Sequence, residues 1–233
     1  MTWKAIIFDF NGVIINDEPL HQQLIDELLL GENLRPSGAE YKQLCLGRSD
    51  RSCLRDILSR RGRVVSEEYL TKLIQKKARA YRETITQLDP LPIYPDVTNF
   101  LAQIKERSLL IALVTGALRS EVELVLNRAG IAEYFSVIVA GDDITTSKPQ
   151  PDGYLLAVEL LERQNPSLRL KPCDCLALED TPAGISAAKN AGIQVVGVAN
   201  TYPFHMLQRQ TNWTVDRLSE LELDRVEQVL GVS

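Results

Sequence analysis

The sequence predicts an α/β fold: a Rossmann-like, doubly wound parallel sheet with an all-helical unit inserted after its first strand. Three observations carry this reading. The short apolar runs Ala5–Asp9, Leu109–Thr115, Val137–Ala140, Cys175–Leu178 and Val195–Val198 read as buried strands. Between the later ones, Val97–Arg107, Arg119–Ala129, Pro151–Glu162 and Pro182–Ala191 have helical spacing, and such alternation implies a parallel sheet covered on both faces. From about Glu18 to Gln87 the strand signal stops, leaving the helical patterns Leu20–Leu30, Ser37–Leu46, Arg51–Arg60 and Glu67–Ile85.

Taken in order, the first strand delivers Asp9 into a turn containing Gly12. Asn16–Pro19 leads into the helical insertion. The chain returns through Asp89-Pro90-Leu91-Pro92-Ile93-Tyr94-Pro95, whose three prolines make a stiff connection. The expected division is a core of residues 1–16 and 92–233 and a helical cap of residues 17–91. In the last helical segment Thr181 can cap, Pro182 suits the first turn and Gly192 ends the helix. An insertion after the first strand lies beside the carboxyl ends of the strands, where open α/β sheets bind ligands, so it is placed to act as a lid.

Composition bounds the function. A length of 233 residues suits one large domain or a core with a smaller insertion, and 45% hydrophobic with 24% charged residues suits a packed core under an ordinary soluble surface. Net charge is −5 and the pI ≈ 5.2, with Lys and Arg scattered among acids, which argues against nucleic acid as a partner. No apolar run is long enough for a membrane helix. The start Met1-Thr2-Trp3-Lys4 lacks a signal peptide's apolar region, so a cytoplasmic monomer or weak homo-oligomer is expected. The four cysteines form no Cys-x-x-Cys pair and the only histidines are His21 and His205. That leaves no zinc site, and the cysteines are expected to be reduced thiols.

In a parallel sheet, the residues that follow the strands face one crevice. These are Asp9; Thr115 followed by Gly116; Lys148 within Ser147-Lys148-Pro149-Gln150-Pro151; and the pair Glu179-Asp180. Each alone has a plainer reading, as a turn former, a helix cap or an exposed lysine. Together they supply a nucleophilic carboxylate, acids for Mg²⁺, and a lysine, a hydroxyl and glycine amides to offset phosphoryl charge.

On these motifs, and on Glu179-Asp180-Thr181-Pro182-Ala183-Gly184-Ile185 above all, the chain resembles the haloacid dehalogenase superfamily, in its branch of β-phosphoglucomutase-like phosphatases with a helical cap. The resemblance covers nearly the whole chain. It implies that Asp9 forms an aspartyl-phosphate and that Asp9, the Asn11 main-chain carbonyl and Asp180 hold Mg²⁺ with Glu179 close by. It also implies that Thr115, Gly116, Lys148 and Gly12 grip the phosphoryl group. The partner so implied is a small phosphorylated metabolite.

One residue departs from the pattern. Where those phosphatases carry an Asp that protonates the leaving oxygen and then activates water, this chain has Asn11. Asn cannot exchange a proton at neutral pH, a deficit of about 10²–10⁴-fold in rate, whereas a backbone carbonyl ligand is indifferent to the side chain. Four readings follow: a slow phosphatase, or one restricted to phosphoanhydrides and acyl phosphates; replacement of the lost acid by Asp17, Glu18 or His21; a phosphometabolite-binding protein that has shed catalysis; or an introduced residue that traps a complex. Asn11-Gly12 is also a deamidation-prone pair. A dehalogenase would need neither Mg²⁺ nor a proton donor, and the acidic pair fits it less well.

Substrate choice is expected from the insertion. Cys45-Leu46-Gly47-Arg48-Ser49-Asp50-Arg51 resembles the family's substrate-facing loop, with Arg48 and Arg51 as candidate contacts to a second anionic group, and His21 and Glu18 as cleft-lining candidates. The phosphoglucomutase carries a lysine just before this glycine. Here stands Leu46, which speaks against a mutase.

Overall fold

The computed structural model describes residues 3–230. After strand β1 (Ala5–Phe8) come four helices in succession: α1 (Glu18–Gly31), α2 (Gly38–Leu44), α3 (Asp50–Arg60) and α4 (Glu67–Gln87). Alternation then begins with α5 (Val97–Glu106), β2 (Leu110–Val114), α6 (Arg119–Arg128), β3 (Val137–Val139), α7 (Asp152–Gln164), β4 (Cys175–Glu179) and α8 (Pro182–Asn190). It closes with β5 (Gln194–Val198), the short α9 (Phe204–Leu207), β6 (Trp213–Val215) and α10 (Leu223–Leu230). Among the described residues no helix is long and apolar enough to cross a membrane.

Among the described residues the six strands are all parallel, in the order β3-β2-β1-β4-β5-β6. The chain first winds outward from β1 through β2 to β3, then restarts on the other side at β4. The winding direction therefore reverses between β1 and β4, and a crevice opens there at the carboxyl ends. Alternating side chains of β1 feed two cores: Ile6 and Phe8 pack with α5 and α6, and Ala5 and Ile7 pack with α7 and α8. The sequence reading stopped at five strands. It missed β6 because Trp213-Thr214-Val215 is three residues long and flanked by Asn212 and Asp216, too short for a periodic signal.

The inserted helices carry a core of their own, from Ile25 and Leu28 of α1 through Leu54 and Ile57 of α3 to Leu70 and Ile74 of α4. Ser37, Ser49 and Ser66 each accept the third backbone N–H of the helix that follows, worth about 1 kcal/mol apiece. The two connections to the sheet run side by side. Ile15 pairs antiparallel with Ile93, the Asn16 N–H donates to the Pro92 carbonyl at 2.8 Å, and Tyr94 N–H donates to Ile14 at 3.0 Å.

One expectation is corrected. Cys45 and Cys53 are not free thiols but a disulfide, while Cys173 and Cys175 remain free. The reason is local: Cys45 caps the end of α2, Cys53 lies in the first turn of α3, and Gly47 at φ 71° reverses the chain between them. A search for Cys-x-x-Cys spacing does not detect a bridge closed by a helix–turn–helix. With a sequence separation of 8, the bridge is expected to contribute roughly 2–3 kcal/mol by restricting the unfolded chain. Reduction should therefore lower the melting temperature by ~5–10 °C in a scanning fluorimetry experiment. The Cys45→Ser/Cys53→Ser variant should melt at the lower temperature with or without reductant.

Candidate active site

The ends of β1, β2 and β4 bring side chains to the crevice, joined by a lysine from the loop after β3. Asp9 leaves β1 with its N–H donating to Leu178 of β4 at 2.9 Å, and Thr115 leaves β2 with its N–H donating to Val139 of β3 at 3.0 Å. Ladder bonds thus hold both residues at the sheet's rim. Lys148 arrives from the loop before α7. Its Nζ donates to Asp9 Oδ1 at 2.6 Å, to Glu179 Oε1 at 2.6 Å and to the Val114 carbonyl at 3.2 Å. Burial opposes the Lys148 charge, but the Asp9 and Glu179 carboxylates outweigh it and raise the ammonium's pKa above its usual value.

The acids outnumber the cation. Asp9, Glu179 and Asp180 are all buried, with one oxygen of each within 4.8 Å of the others, and Lys148 is the cation bonded among them. Burial first, then the neighbouring Asp9 charge, push Glu179 up to about 7 despite Lys148, and the same two causes push Asp180 well above the usual carboxylate range. Asp180 Oδ1 and Glu179 Oε2 are buried acceptors without a hydrogen-bond donor. An excess of buried negative charge and an unused oxygen at Asp180 fit a hard divalent cation such as Mg²⁺, which takes oxygen ligands and needs few protein carboxylates.

Gly12, at φ 81°, passes so close to this cluster that an added Cβ would lie 1.8 Å from Asp180 Oδ2. The turn therefore requires glycine for both conformation and space. Thr115 Oγ1 accepts the Ala117 N–H at 3.0 Å and donates to Asn11 Oδ1 at 3.4 Å. Gly116 faces the backbone of Arg48 and Ser49, so the inserted loop closes directly over the β2 turn, where Ser49 N–H also donates to Ser147 Oγ at 2.8 Å. The cleft between them, lined by Asp9, Asn11, Glu18, His21, Gly47 and Arg48 among others, offers ≈ 40 Å³. That is far below the several hundred Å³ of a typical ligand pocket.

The insertion's candidates separate into those that face the cavity and one that does not. Glu18 lines it, accepts Tyr41 O–H at 2.5 Å, and is held above the usual carboxylate range by burial. Arg48 lines it with its charge already engaged by Asp56 at 2.7 Å and the Leu44 carbonyl at 2.9 Å. Arg51 turns away to Glu67 at 2.8 Å and Thr71 at 3.0 Å. Gly47 packs on Thr181 of the core.

His21 belongs to a buried polar network that only its ends announced in the sequence. Its Nδ1 meets Lys77 Nζ at 2.6 Å, and its Nε2 lies 3.3 Å from Asp17 Oδ2. Lys77 also donates to Asp50 at 2.7 Å and lies 3.7 Å from Glu121 of α6. Asp17 in turn accepts Tyr81 O–H at 2.5 Å and the Asn11 amide at 2.9 Å. Lys77, 1% exposed, was missed because Lys76-Lys77 looks like a solvated pair. A signal was present, however: Lys77 lies on the same helical stripe as Leu70, Leu73, Ile74, Ala78, Tyr81 and Ile85. Tyr154, donating to Glu179 at 2.6 Å, and Thr201, donating to Asp180, were also missed.

The comparisons with known proteins agree with this geometry. A family model described as haloacid dehalogenase-like hydrolase matches residues 3–192. The chain is a member of that family. Its haloacid dehalogenase-like relatives include protein CbbY of Rhodobacter capsulatus, 28% identical with 94% of this chain and 95% of that protein covered. Also similar are the β-phosphoglucomutase of Bacillus subtilis, 29% identical with 90% of each chain covered, and a phosphorylated carbohydrates phosphatase of Thermotoga maritima, 28% identical over 85% and 86%. The haloacid dehalogenase fold is seen in a β-phosphoglucomutase structure from Clostridium difficile, with TM-score 0.85, 24% identity and 99% and 98% coverage. The matched model makes this member a hydrolase by family.

The Asn11-Gly12 pair is shielded from the reaction its sequence invites. Gly12 N–H, the atom that would attack the Asn11 side chain, donates to Ile15 at 2.8 Å, and the Asn11 amide is held by Asp17. Peptide mapping after prolonged incubation should find deamidation at Asn11 markedly slower in the folded protein than in the urea-unfolded chain. Equal rates would show that these bonds do not protect it.

Proposed function

We propose that the protein is a Mg²⁺-dependent phosphatase of a small phosphorylated metabolite, with Asp9 as nucleophile. The observation that carries this reading is the contact of one buried lysine, Lys148, with both Asp9 and Glu179 beside the unpartnered oxygen of Asp180. Lys148 holds and aims Asp9 Oδ1, while Thr115 and the turn amides near Gly12 and Gly116 receive the transferred phosphoryl oxygens. Asp9, Asp180 and the Asn11 main-chain carbonyl would hold Mg²⁺, with Glu179 fixing Lys148; the cation would offset phosphoryl charge. Residues 17–91 serve as the cap, excluding water while the aspartyl-phosphate exists.

Leu46 supports hydrolysis over sugar-phosphate isomerisation, because it packs into the cap's apolar core where a mutase presents a lysine. A screen of phosphorylated metabolites, measuring phosphate release with Mg²⁺ and with EDTA, tests the reading. Release that survives EDTA, or no release from any compound and no phosphoryl-Asp9 by mass spectrometry, would sink it.

A further inference from the structure

Asn11 does not lie loose beside Asp9. Its Nδ2 is 2.9 Å from Asp17 Oδ1 and 3.2 Å from Oδ2, and its Oδ1 is 3.4 Å from Thr115 Oγ1. An amide's two edges look alike in shape and differ in chemistry, so a neighbour must decide which way it faces. Asp17 decides here. It is 2% exposed and is approached by three donors, namely Tyr81 O–H, Asn11 Nδ2 and the His21 ring, as a carboxylate requires. With Lys77 donating to its Nδ1, His21 carries its hydrogen on Nε2 and gives it to Asp17 Oδ2 at 3.3 Å, so although Nε2 lies 3.1 Å from Asn11 Nδ2 it does not accept the Asn11 N–H in place of Asp17. A carboxylate only accepts. The NH₂ edge of Asn11 is therefore drawn to Asp17, and the carbonyl edge is the one left towards Thr115.

We propose that Asp17 is a positioning residue that holds Asn11 with its carbonyl oxygen towards the phosphoryl site, which leaves that site without a proton donor for the leaving group and suited to phosphates whose leaving group departs as a stable anion: an acyl phosphate or a phosphoanhydride. This rests on the phosphatase reading above and narrows its substrate class. Asp9 Oδ1 attacks phosphorus, the bond to the leaving oxygen breaks, and that oxygen keeps the electron pair as a carboxylate or phosphate. Water, donating a hydrogen bond to Asn11 Oδ1, then attacks the phosphorus of the aspartyl-phosphate. The Asp9 oxygen leaves as carboxylate, and both water protons depart on dihydrogen phosphate. No step takes a proton from Asn11.

The arrangement also explains why an acid does not stand at position 11. An Asp there would meet Asp17 at hydrogen-bond distance, and two such carboxylates must share a proton. Exchanging the two residues, Asn11→Asp with Asp17→Asn, keeps the amide–carboxylate bond and moves the carboxylate to the phosphoryl side.

The test uses the full chain with Mg²⁺ and compares kcat/KM for acetyl phosphate, pyrophosphate, p-nitrophenyl phosphate, phenyl phosphate and glucose 6-phosphate. The expected result is a steep fall with leaving-group basicity, with glucose 6-phosphate about 10²–10⁴-fold below acetyl phosphate or pyrophosphate. Whichever of those two is faster identifies the acyl phosphate or the anhydride. The exchanged double variant should raise glucose 6-phosphate turnover by a similar factor relative to acetyl phosphate, flattening the profile. Equal rates across the series in the unchanged protein, or an exchange variant with the same steep profile, would overturn the proposal. If no compound is hydrolysed, the phosphatase reading fails by itself, and the orientation is read directly. In ¹⁵N-labelled protein, the Asn11 side-chain NH₂ signals should be protected from solvent exchange, and Asp17→Ala should abolish that protection. Signals that exchange freely, or are unchanged by Asp17→Ala in a protein that still melts cooperatively, would overturn it.

Discussion

Asp9→Asn is expected to lower kcat by about 10⁴–10⁶-fold and to abolish the phosphorylated intermediate. The substitution is nearly isosteric, so Lys148 and the β1 turn should stay in place and the loss should be chemical. The same change should act in the opposite direction on stability. Asp9 is one of three buried carboxylates within 4.8 Å of one another, faced by Lys148. Removing its charge relieves repulsion on Glu179 and Asp180, so in EDTA the variant should melt above the unchanged protein. Calorimetry in EDTA together with single-turnover assays in Mg²⁺ checks both halves. A variant that lost activity and stability together would indicate that Asp9 is a structural ion-pair partner of Lys148, and the nucleophile assignment would fall.

Stability of the cation-free protein should decline as pH rises from about 5 to about 8, and the stabilisation by Mg²⁺ should grow over the same interval. The sign follows from Glu179, whose folded-state value is pushed up to about 7 from an ordinary 4.5. The folded protein holds that proton more tightly than the unfolded chain. The associated stability is therefore complete below about 4.5 and is lost as pH passes through about 7. A shift of that size corresponds to on the order of 3 kcal/mol, and Asp180 contributes in the same sense. A cation binding the deprotonated cluster stabilises only the folded state, so it offsets the loss where the loss is largest. Melting temperatures with EDTA and with excess Mg²⁺ across this range test the linkage. A Mg²⁺-induced rise of the same size at pH 5.5 and pH 8 would show that the acidic cluster is not the binding site.

The crevice at the strand ends was legible in the sequence because parallel sheets impose it. Once the strands were assigned, Asp9, Thr115, Lys148, Glu179 and Asp180 had to meet. Convergence at strand ends is a property of topology, which a linear pattern carries. The contacts of the inserted helices were not legible in this way. Their partners are fixed by packing between helices far apart in sequence: Asp17 with Tyr81, His21 with Lys77, and Lys77 with Glu121. Asp17 could be named as a nearby acid from its position after β1, but its bond to Asn11 depends on how the chain bends between them. The disulfide escaped for the same reason, since its closure is set by a turn and not by cysteine spacing.

The paired connections at Ile15 and Ile93 have a mechanical consequence. Two chains crossing between rigid bodies independently would permit sliding, tilting and twisting. Zipped together by the Asn16–Pro92 and Ile14–Tyr94 bonds, they form a single ribbon. A ribbon flexes across its flat side and resists shear, so any movement of the helical insertion would be a swing about one line, like a door. Asn11 bridges to Ile15 at the root of that ribbon and Asp17 leaves from its far end. The bond between them therefore spans the hinge line, and a swing of the insertion about that line would strain the same contact that orients the amide.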